Sequence, residues 1–339
     1  MNQGLINSSR IFISNGNGIV VKTGEYSIAL DPRRASNCDY ALVSHAHIDH
    51  VHAPSGSSKV IASEETKRLA KSRGYDLGKT VKPPGGIELI DSGHILGSRA
   101  VLIEDRVFYT ADISSRERAF LGGCKGERCD TLIMETTYGL PQYIFPETEK
   151  VVNLANKFIA SRFDKGQPVI LTGYQLGKAQ LISYFFDNWE PVFLHESVHE
   201  MNSLHVEMGV DLKQFARYEP SQECEKVMER GPWVMIAPMS SGRSNFVKSM
   251  RQRYNAAVAT FSGWALDSGY RFKMGLDEAF PMSDHCDFKE LVDLAKYCNP
   301  STVYTVHGFA EEFASHLRTL GFDAEPLSSH AQQRMTSFA

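Results

Sequence analysis

Four side chains that can bind a metal ion lie within six residues of one another in this sequence. They are His45, His47, Asp49 and His50, in the segment 44–50, which reads SHAHIDH and follows a short apolar run. Imidazole nitrogen and carboxylate oxygen are favourable ligands for zinc and similar divalent ions. Residues two apart in an extended segment point the same way, so His45 and His47 can share one ion while Asp49 and His50 reach a second. The pattern favours a metal site over a solvated histidine-rich loop.

One loop cannot close two metal sites, so other ligands must come from elsewhere in the chain. Three candidates each stand at the end of an apolar segment beside glycine or alanine: His94, Asp112 and His307. Taken singly, each would more often be a structural residue than a ligand. Their shared position, at predicted strand ends next to small residues, supports them as ligands.

Two further loops have the composition of phosphate-binding segments. The segment 172–178 (TGYQLGK) follows a predicted strand and opens a predicted helix, so the backbone at Gly177 and the charge of Lys178 are candidates for anion binding. It lacks the Walker A pattern, so nucleotide hydrolysis is not implied. The segment 237–243 (APMSSGR) also ends a predicted strand. Its candidate substrate-binding residues are Ser241, Gly242 and Arg243.

The elements that must position these residues change character along the chain. The first 135 or so residues alternate short apolar strands with turns, whereas strands and helices alternate from about residue 145 to 280. A helix, a strand and a helix follow Asp284. The pattern predicts an α/β protein in which one strand-rich domain, residues 1–144 and 281–339, is interrupted by an α/β lobe of residues 145–280.

Composition excludes several broad classes of protein. The chain has 339 residues, of which 42% are apolar and 22% charged, and its formal net charge is −4. This suits a globular protein and argues against a basic coat for nucleic acid, although an acidic enzyme can concentrate basic groups in one cleft. No apolar run reaches the roughly 18 residues of a membrane span, and the N-terminus lacks a hydrophobic signal core. We therefore expect a cytoplasmic protein without a membrane partner.

In combination, these motifs resemble the metallo-β-lactamase superfamily, and specifically its β-CASP nuclease branch. The resemblance covers essentially the whole chain and includes the segments ETTYGLP, FSGWA and SDHCD. It implies an αββα sandwich with two zinc ions, Mn²⁺ being an alternative metal, and an inserted β-CASP lobe. The implied ligands are His45, His47 and His94 for one ion, Asp49, His50 and His307 for the other, and Asp112 for both. Asp31 would sit behind the ligand loop and orient a histidine.

The same resemblance gives three residues a direct catalytic role. Asp49 would act at the metals, His285 would be the general acid that protonates the leaving oxygen, and Glu135 would hold His285 in place. RNA-cutting members of the branch typically carry histidine at the position of His307, where Artemis-like DNA enzymes carry valine. Short ligase-associated exonucleases and archaeal factors related to mRNA 3′-end processing also resemble this chain, so RNA and DNA both stay open.

The resemblance implies hydrolysis of phosphodiester bonds by a hydroxide that two metal ions activate. The expected partner is a nucleic acid, single-stranded or offering an end, in RNA processing or in DNA repair by an exonuclease. A homodimer or a repair or processing protein would be a further partner. Two alternatives are a small-molecule metallo-hydrolase, against which the interrupting lobe argues, and a non-catalytic scaffold subunit. Scaffold subunits of the branch typically lose metal ligands, whereas this chain keeps them.

Overall fold

The described residues form three β-sheets with helices packed against them. The computed structural model describes residues 11–15, 18–34, 36–51 and 56–327. The strands of the first sheet, in chain order, are β1 (Phe12–Asn15), β2 (Ile19–Lys22), β3 (Ser27–Leu30), β4 (Tyr40–Leu42) and β5 (Lys59–Ile61). The first three form an antiparallel meander, which β4 and β5 extend as parallel strands. Helix α1 (Glu64–Ser72) follows, with the Ser63 side chain as its N-cap.

The second sheet combines strands from both ends of the described chain. Its members are β6 (Ile87–Asp91), β7 (Arg99–Ile103), β8 (Val107–Tyr109), β9 (Thr131–Glu135), β16 (Thr302–Val306) and β17 (Ala324–Pro326). β16 pairs in parallel with β9, so that Val306 lies opposite Glu135 although the two residues are 171 positions apart in sequence. β16 therefore joins the second sheet only after the chain has formed all the elements between β9 and β16.

The intervening chain builds the third sheet, in which all strands are parallel. The strand order is β12-β11-β13-β10-β14-β15. The strands are β10 (Val169–Gly173), β11 (Val192–Leu194), β12 (Ala216–Arg217), β13 (Val234–Pro238), β14 (Ala257–Phe261) and β15 (Glu278–Phe280). The helices are α2 (Thr148–Phe163), α3 (Lys178–Phe185), α4 (Glu196–Glu207), α5 (Gln222–Met228), α6 (Asn245–Tyr254) and α7 (Tyr270–Met274). Apolar clusters cover both faces of this sheet, as parallel strands require.

Apolar cores stack the first two sheets into layers. Ile28 and Leu42 of the first sheet share a core with Ile133 of the second, so the two sheets face each other. Helices α8 (Phe288–Cys298) and α9 (Ala310–Thr319) cover the outer face of the second sheet. Helix α1 covers the outer face of the first sheet through Leu69, which also shares a cluster with Met201 of α4. The α/β class predicted from the sequence is confirmed.

Two chain segments connect the parallel sheet to the layered sheets, and one arginine holds both. Arg116 donates to the carbonyl oxygens of Phe145 and Pro146, which precede α2, at 3.2 and 2.9 Å. It also donates to the carboxylates of Asp287 and Glu290 at the start of α8, at 2.7 and 2.5 Å. Where the structure describes the chain, no helix has the length and apolar character to cross a bilayer.

Candidate metal centre

Loops that follow β4, β6 and β8 bring four of the predicted ligands to one point. His45, His47, His94 and Asp112 each offer an atom, and these atoms all lie within 4.8 Å of one another. One oxygen of Asp112 is 3.5 Å from Nε2 of His45 and 3.6 Å from Nε2 of His94. The structure therefore brings together the set predicted for one ion, with the carboxylate predicted to be shared.

Hydrogen bonds on the outer side of two of these histidines define which ring nitrogens carry hydrogen. His47 places Nε2 3.1 Å from the carbonyl oxygen of Leu176, and His94 places Nδ1 3.0 Å from that of Asp284. A carbonyl oxygen only accepts, so these ring nitrogens are the donors. In the neutral rings, Nδ1 of His47 and Nε2 of His94 then both present lone pairs, although they are only 3.0 Å apart.

A hydrogen bond with a serine likewise defines which ring nitrogen of His45 carries hydrogen. The hydroxyl of Ser44 donates to Asp31 at 2.7 Å, so its oxygen accepts from Nδ1 of His45 at 2.9 Å. Nε2 of His45 therefore bears a lone pair, and it is buried without any hydrogen-bond partner. An unsatisfied buried nitrogen is costly. Three lone pairs and a carboxylate that converge in this way fit a divalent cation.

Burial keeps these three imidazoles neutral, as metal ligands must be. It is the main cause that lowers the pKa of His47 to about 3 and the pKa values of His45 and His94 below their usual range. Proton binding therefore does not relieve the repulsion between the lone pairs at neutral pH. A bound metal ion would satisfy all three lone pairs at once.

Asp31 lies behind the ligand loop, where the resemblance expected it. Its two oxygens accept from the backbone N–H and hydroxyl of Ser44, both at 2.7 Å, and from Tyr109 Oη and His50 Nδ1, both at 2.9 Å. Burial alone would raise the pKa of Asp31, but the neighbouring His50 and His45 lower it. The carboxylate thus stays charged and turns Nε2 of His50 toward Asp112, 3.4 Å away.

The ligands predicted for the second ion are more open. His50 is buried, with Nε2 3.8 Å from an oxygen of Asp49, whose side chain is 71% exposed. His307 is exposed, and its ring centre lies 5.6 Å from that of His50. The structure brings His50 to Asp112 and leaves Asp49 and His307 at the edge of the open cleft. Their role as ligands stays a prediction.

Backbone conformation at strand ends aims several of these side chains. Asp31 after β3, Ala111 before Asp112, and His307 after β16 all have positive φ, at 43°, 48° and 61°. Residues other than glycine seldom adopt this left-handed conformation, and such strain is concentrated at functional sites. Each abrupt turn carries the chain away from the sheet just where a candidate ligand stands.

A histidine–glutamate pair adjoins the cluster. Nδ1 of His285 lies 2.8 and 3.1 Å from the two oxygens of Glu135, and the His285 ring centre is 4.5 Å from that of His94. Glu135 is held in turn by the backbone N–H of Ile113 and the hydroxyl of Thr137. Burial alone would lower the pKa of His285, but the carboxylates of Glu135 and Asp112 raise it to about 9. His285 is therefore protonated at neutral pH.

The first predicted phosphate loop makes its contacts inside the protein. Lys178 is buried, and its ammonium donates to Oδ1 of Asp284 at 2.6 Å. The backbone N–H of Gly177 donates to the Gln180 side chain at 2.8 Å. The described geometry thus gives the Lys178 charge a protein partner in place of the predicted phosphate. Arg118 also donates to Oδ1 of Asp284, at 3.1 Å. Lys178 therefore supports the residue whose carbonyl oxygen orients His94.

The second predicted phosphate loop lies farther from the ligands. Its backbone joins the first loop, because the N–H of Met239 donates to the carbonyl oxygen of Gly173 at 2.6 Å. Gly242 is buried against Gly275, and Arg243 is exposed. The described residues that line the cleft beside the metal centre do not include Ser241, Gly242 or Arg243. Their contact with substrate stays a prediction.

A cleft of about 560 Å³ opens over the candidate ligands. Its lining includes Arg73, Tyr174 and Trp264, to which sequence reasoning gave no site role or only a weak one. Arg73 ends a short amphipathic helix and reads in sequence as a solvated charge. Tyr174 lies within a loop that drew notice only for its glycines and lysine. No sequence signal separates these two side chains from ordinary surface residues.

The curated relatives that this chain resembles include proteins named as nucleic-acid enzymes. It is 32% identical over 297 residues to a protein from Opitutus terrae named "probable DNA ligase", covering 84% of this chain and 28% of the relative. It is 26% identical over 184 residues to an RNase J-like protein from Methanocaldococcus jannaschii, covering 44% of each. The chain thus spans less than half the length of these curated relatives. No protein-family model matches the sequence.

A solved structure supports the fold. The crystal structure of a protein of unknown function from Enterococcus faecalis V583 superposes with a TM-score of 0.62 and covers 96% of this chain and 100% of its own. Sequence identity is 11%, so the similarity concerns the fold alone.

Proposed function

Because the chain belongs to the β-CASP branch of the metallo-β-lactamase superfamily, we propose that it is a metal-dependent nuclease that hydrolyses phosphodiester bonds. The observation that carries the proposal is the convergence of three unprotonated imidazole nitrogens on the carboxylate of Asp112. In this proposal, residues 1–144 and 281–339 form the αββα sandwich, and residues 145–280 form the inserted β-CASP lobe. The facing sheets and the separate parallel sheet support that division.

We infer that the site holds two metal ions. His45, His47 and His94 would hold one, Asp49, His50 and His307 the other, and Asp112 would contact both. Nitrogen and oxygen donors suit zinc, with Mn²⁺ as the alternative. When bound, the two ions would activate water and polarise the phosphoryl oxygens.

The protein's own groups supply the proton and the orientation. His285 holds its Nδ1 hydrogen on Glu135, which leaves Nε2 to donate a proton to the departing oxygen. Glu135 is itself fixed by backbone and hydroxyl donors, so the imidazole keeps one orientation. Asp31 orients His50 directly and His45 through Ser44. These contacts organise the site before substrate arrives.

The comparisons favour DNA over RNA as the substrate. The ligase-named relative matches 84% of the chain, whereas the RNase J-like protein matches 44%. The long match favours a repair exonuclease that acts on single-stranded DNA or DNA ends and works with a ligase. Cleavage of RNA is the competing outcome, and one assay decides between them.

The assay is a time course with end-labelled oligonucleotides, single- and double-stranded, in DNA and RNA forms. We expect single-nucleotide ladders from DNA ends, loss of activity in EDTA and recovery with Zn²⁺ or Mn²⁺. The His285→Ala variant should lose most of its turnover while it keeps its metal. A zinc-loaded wild-type protein that leaves every nucleic acid intact would contradict the proposed function and favour the scaffold or small-molecule alternatives.

A further inference from the structure

Two side chains in the cleft have no part in the chemistry described above. Arg73 is the C-cap residue of α1, and Tyr174 lies in the loop between β10 and α3. Both line the cleft together with the ligands His47 and Asp49. They come from different parts of the chain and line one cleft beside the candidate metal centre, so both are placed to contact a bound substrate.

The guanidinium of Arg73 is held against the ligand loop by a backbone carbonyl of that loop. One guanidinium nitrogen donates to the carbonyl oxygen of Ala46 at 2.6 Å, and Ala46 stands between the ligands His45 and His47. A guanidinium has five N–H donors, so most of them remain for another acceptor. The contact fixes the position of the charge without neutralising it.

The charge of Arg73 has no carboxylate partner within the described part of the chain. Lys178, the other lysine or arginine that lines the cleft, is neutralised by Asp284. Arg68, on the same helix as Arg73, is paired with Glu207 at 2.6 Å. Of the lysine and arginine side chains that the structure describes along the cleft, Arg73 is therefore the one available to an anion, and guanidinium groups suit phosphate oxygens.

Tyr174 presents an aromatic ring to the same cleft. It is 50% exposed although it lines the cleft, and Ile48 on the ligand loop is 57% exposed. The tyrosine loop is attached to the ligand loop where Nε2 of His47 donates to the carbonyl oxygen of Leu176. Such an exposed aromatic side chain offers a stacking surface to any unpaired base.

We propose that Arg73 and Tyr174 form a nucleotide subsite, in which Arg73 binds the phosphate next to the scissile one and Tyr174 stacks on the adjoining base. The inference rests on the proposed nuclease function and extends it to a ligand, a single polynucleotide strand. A base inside a duplex stacks on its neighbours and is not available to Tyr174. The subsite therefore predicts a preference for single strands.

The phosphate contact is tested with oligonucleotides that carry one neutral methylphosphonate at each position in turn. For the wild-type enzyme, neutralising the phosphate next to the cleaved bond should raise KM about tenfold or more, because a hydrogen bond to a charged group is lost. Arg73→Ala should raise KM by a similar factor on the normal strand and add nothing on the modified one. Lys71→Ala, which removes an exposed charge from the same helix, is the matched control.

The stacking contact is tested with Tyr174→Ala, Tyr174→Phe and strands that contain one abasic site. The alanine variant should raise KM about tenfold, and the abasic site should remove that difference, because stacking on one base contributes on the order of a factor of ten in affinity. The phenylalanine variant should match wild type. Tyr184→Ala, at an exposed tyrosine that lies outside the cleft, should also leave KM unchanged.

Failure of the subsite is distinguishable from failure of the nuclease. A wild-type enzyme that cleaves normally but is indifferent to methylphosphonates on both sides of the cleaved bond would overturn the subsite and leave the nuclease intact. Equal KM values for the Arg73→Ala and Lys71→Ala enzymes would overturn it too. Zinc content is measured alongside, because Arg73 also contacts the ligand loop. If Arg73→Ala loses zinc, Arg73→Lys and the wild-type methylphosphonate series decide.

Discussion

At the scale of single residues, the protonation of His285 is set by the carboxylate beside it. Burial would lower its pKa, yet Glu135 and Asp112 raise it to about 9. A general acid works only while it is protonated, so activity should fall as the pH rises through about 9. Glu135 supplies the larger part of the negative charge that raises the pKa of His285, because one of its carboxylate oxygens lies 2.8 Å from Nδ1 of His285.

The Glu135→Gln variant should therefore shift the alkaline limb of the pH–rate profile to lower pH. Without the carboxylate, burial dominates and the pKa of His285 falls. At neutral pH we expect turnover to drop by roughly 10- to 100-fold, within the range that general acids contribute. Profiles of kcat from pH 6 to 10, at saturating metal, test this. An alkaline limb at the same pH in both enzymes would show that another group donates the proton.

Single residues also show what sequence reasoning could reach. The ligand candidates were found because histidine and aspartate stand beside glycine or alanine at apolar strand ends, a pattern that a sequence shows directly. The partner of Lys178 was not found, since Asp284 lies 106 residues away and only the folded chain brings them within 2.6 Å. Arg73 was missed for a similar reason. Its setting is made by a loop from another part of the chain.

At the scale of elements, the turn after β6 places His94. Gly93 has a φ of 70°, and a Cβ there would lie 2.5 Å from the carbonyl oxygen of Ser114 and 2.6 Å from that of Gly122. Both the backbone conformation and the close approach require glycine. The next residue is His94, so any adjustment of this turn moves a ligand.

Gly93→Ala should lower both the stability of the fold and its affinity for zinc. The matched control is Gly74→Ala, where φ is 88° but nothing lies within 4 Å of the added carbon. The control should cost about 1 kcal/mol of unfolding free energy from backbone strain alone, and Gly93→Ala clearly more. Urea unfolding and zinc titration compare the two variants. Equal losses of unfolding free energy in the two variants would show that the carbonyl groups around Gly93 move aside without cost.

Lys178 and Arg118 join separate elements through Asp284. Lys178 begins α3 in the lobe, Arg118 precedes β9, and both donate to Oδ1 of the same buried carboxylate. Burial lowers the pKa of Lys178 to about 8 against the pull of Asp284. Burial would raise the pKa of Asp284, but the two cations hold it low. The charged trio therefore depends on all its members.

Lys178→Met should weaken the fold by about 3 kcal/mol, because it leaves a buried carboxylate with one cation fewer. Adding Asp284→Asn should restore part of that loss. Lys213→Met, which breaks an exposed pair with Glu190, serves as the control and should cost about 0.5 kcal/mol or less. Urea unfolding of the four proteins gives the comparison. A loss at Lys178 as small as the control's would mean that this buried pair does not support the fold.

Elements differed in how well the sequence predicted them. Buried strands such as β10 and β13 are continuous apolar runs with proline or glycine at their ends, a pattern that the sequence shows directly. Helix α5 and strand β15 have no such pattern. The first is a seven-residue polar segment without apolar periodicity, and the second is a three-residue edge strand. Both form because neighbouring elements pack against them, which no local pattern reports.

At the scale of the whole molecule, loops of the layered sheets and loops of the parallel sheet, such as the one that carries Tyr174, line the cleft together. Arg116 ties the segment that leads into the parallel sheet to the helix that follows that sheet. Arg116→Ala should lower Tm by several degrees and reduce kcat while metal content stays unchanged, because His285 and the cleft depend on this junction. Lys289→Ala on the exposed face of α8 is the control. Full activity in Arg116→Ala would show that the junction is held elsewhere.

The sequence predicted the α/β class, because strands and helices alternate in its pattern from about residue 145 to 280. It could not predict that β16 closes the second sheet against β9 with Val306 opposite Glu135. That pairing places His307, which follows Val306, near Glu135 and Asp112. His307 comes after the parallel sheet in sequence, whereas Glu135 and Asp112 come before it. Which side chains face the cleft follows from this closure and from the docking of the lobe.

The central claim is that paired cations sit among the imidazoles of the ligand loops, and anomalous diffraction at the zinc edge tests it most directly. A crystal of the zinc-loaded protein should show one peak among His45, His47, His94 and Asp112 and a second beside His50 and Asp112. Density only at surface sites, with the three imidazole lone pairs left facing one another, would contradict the account.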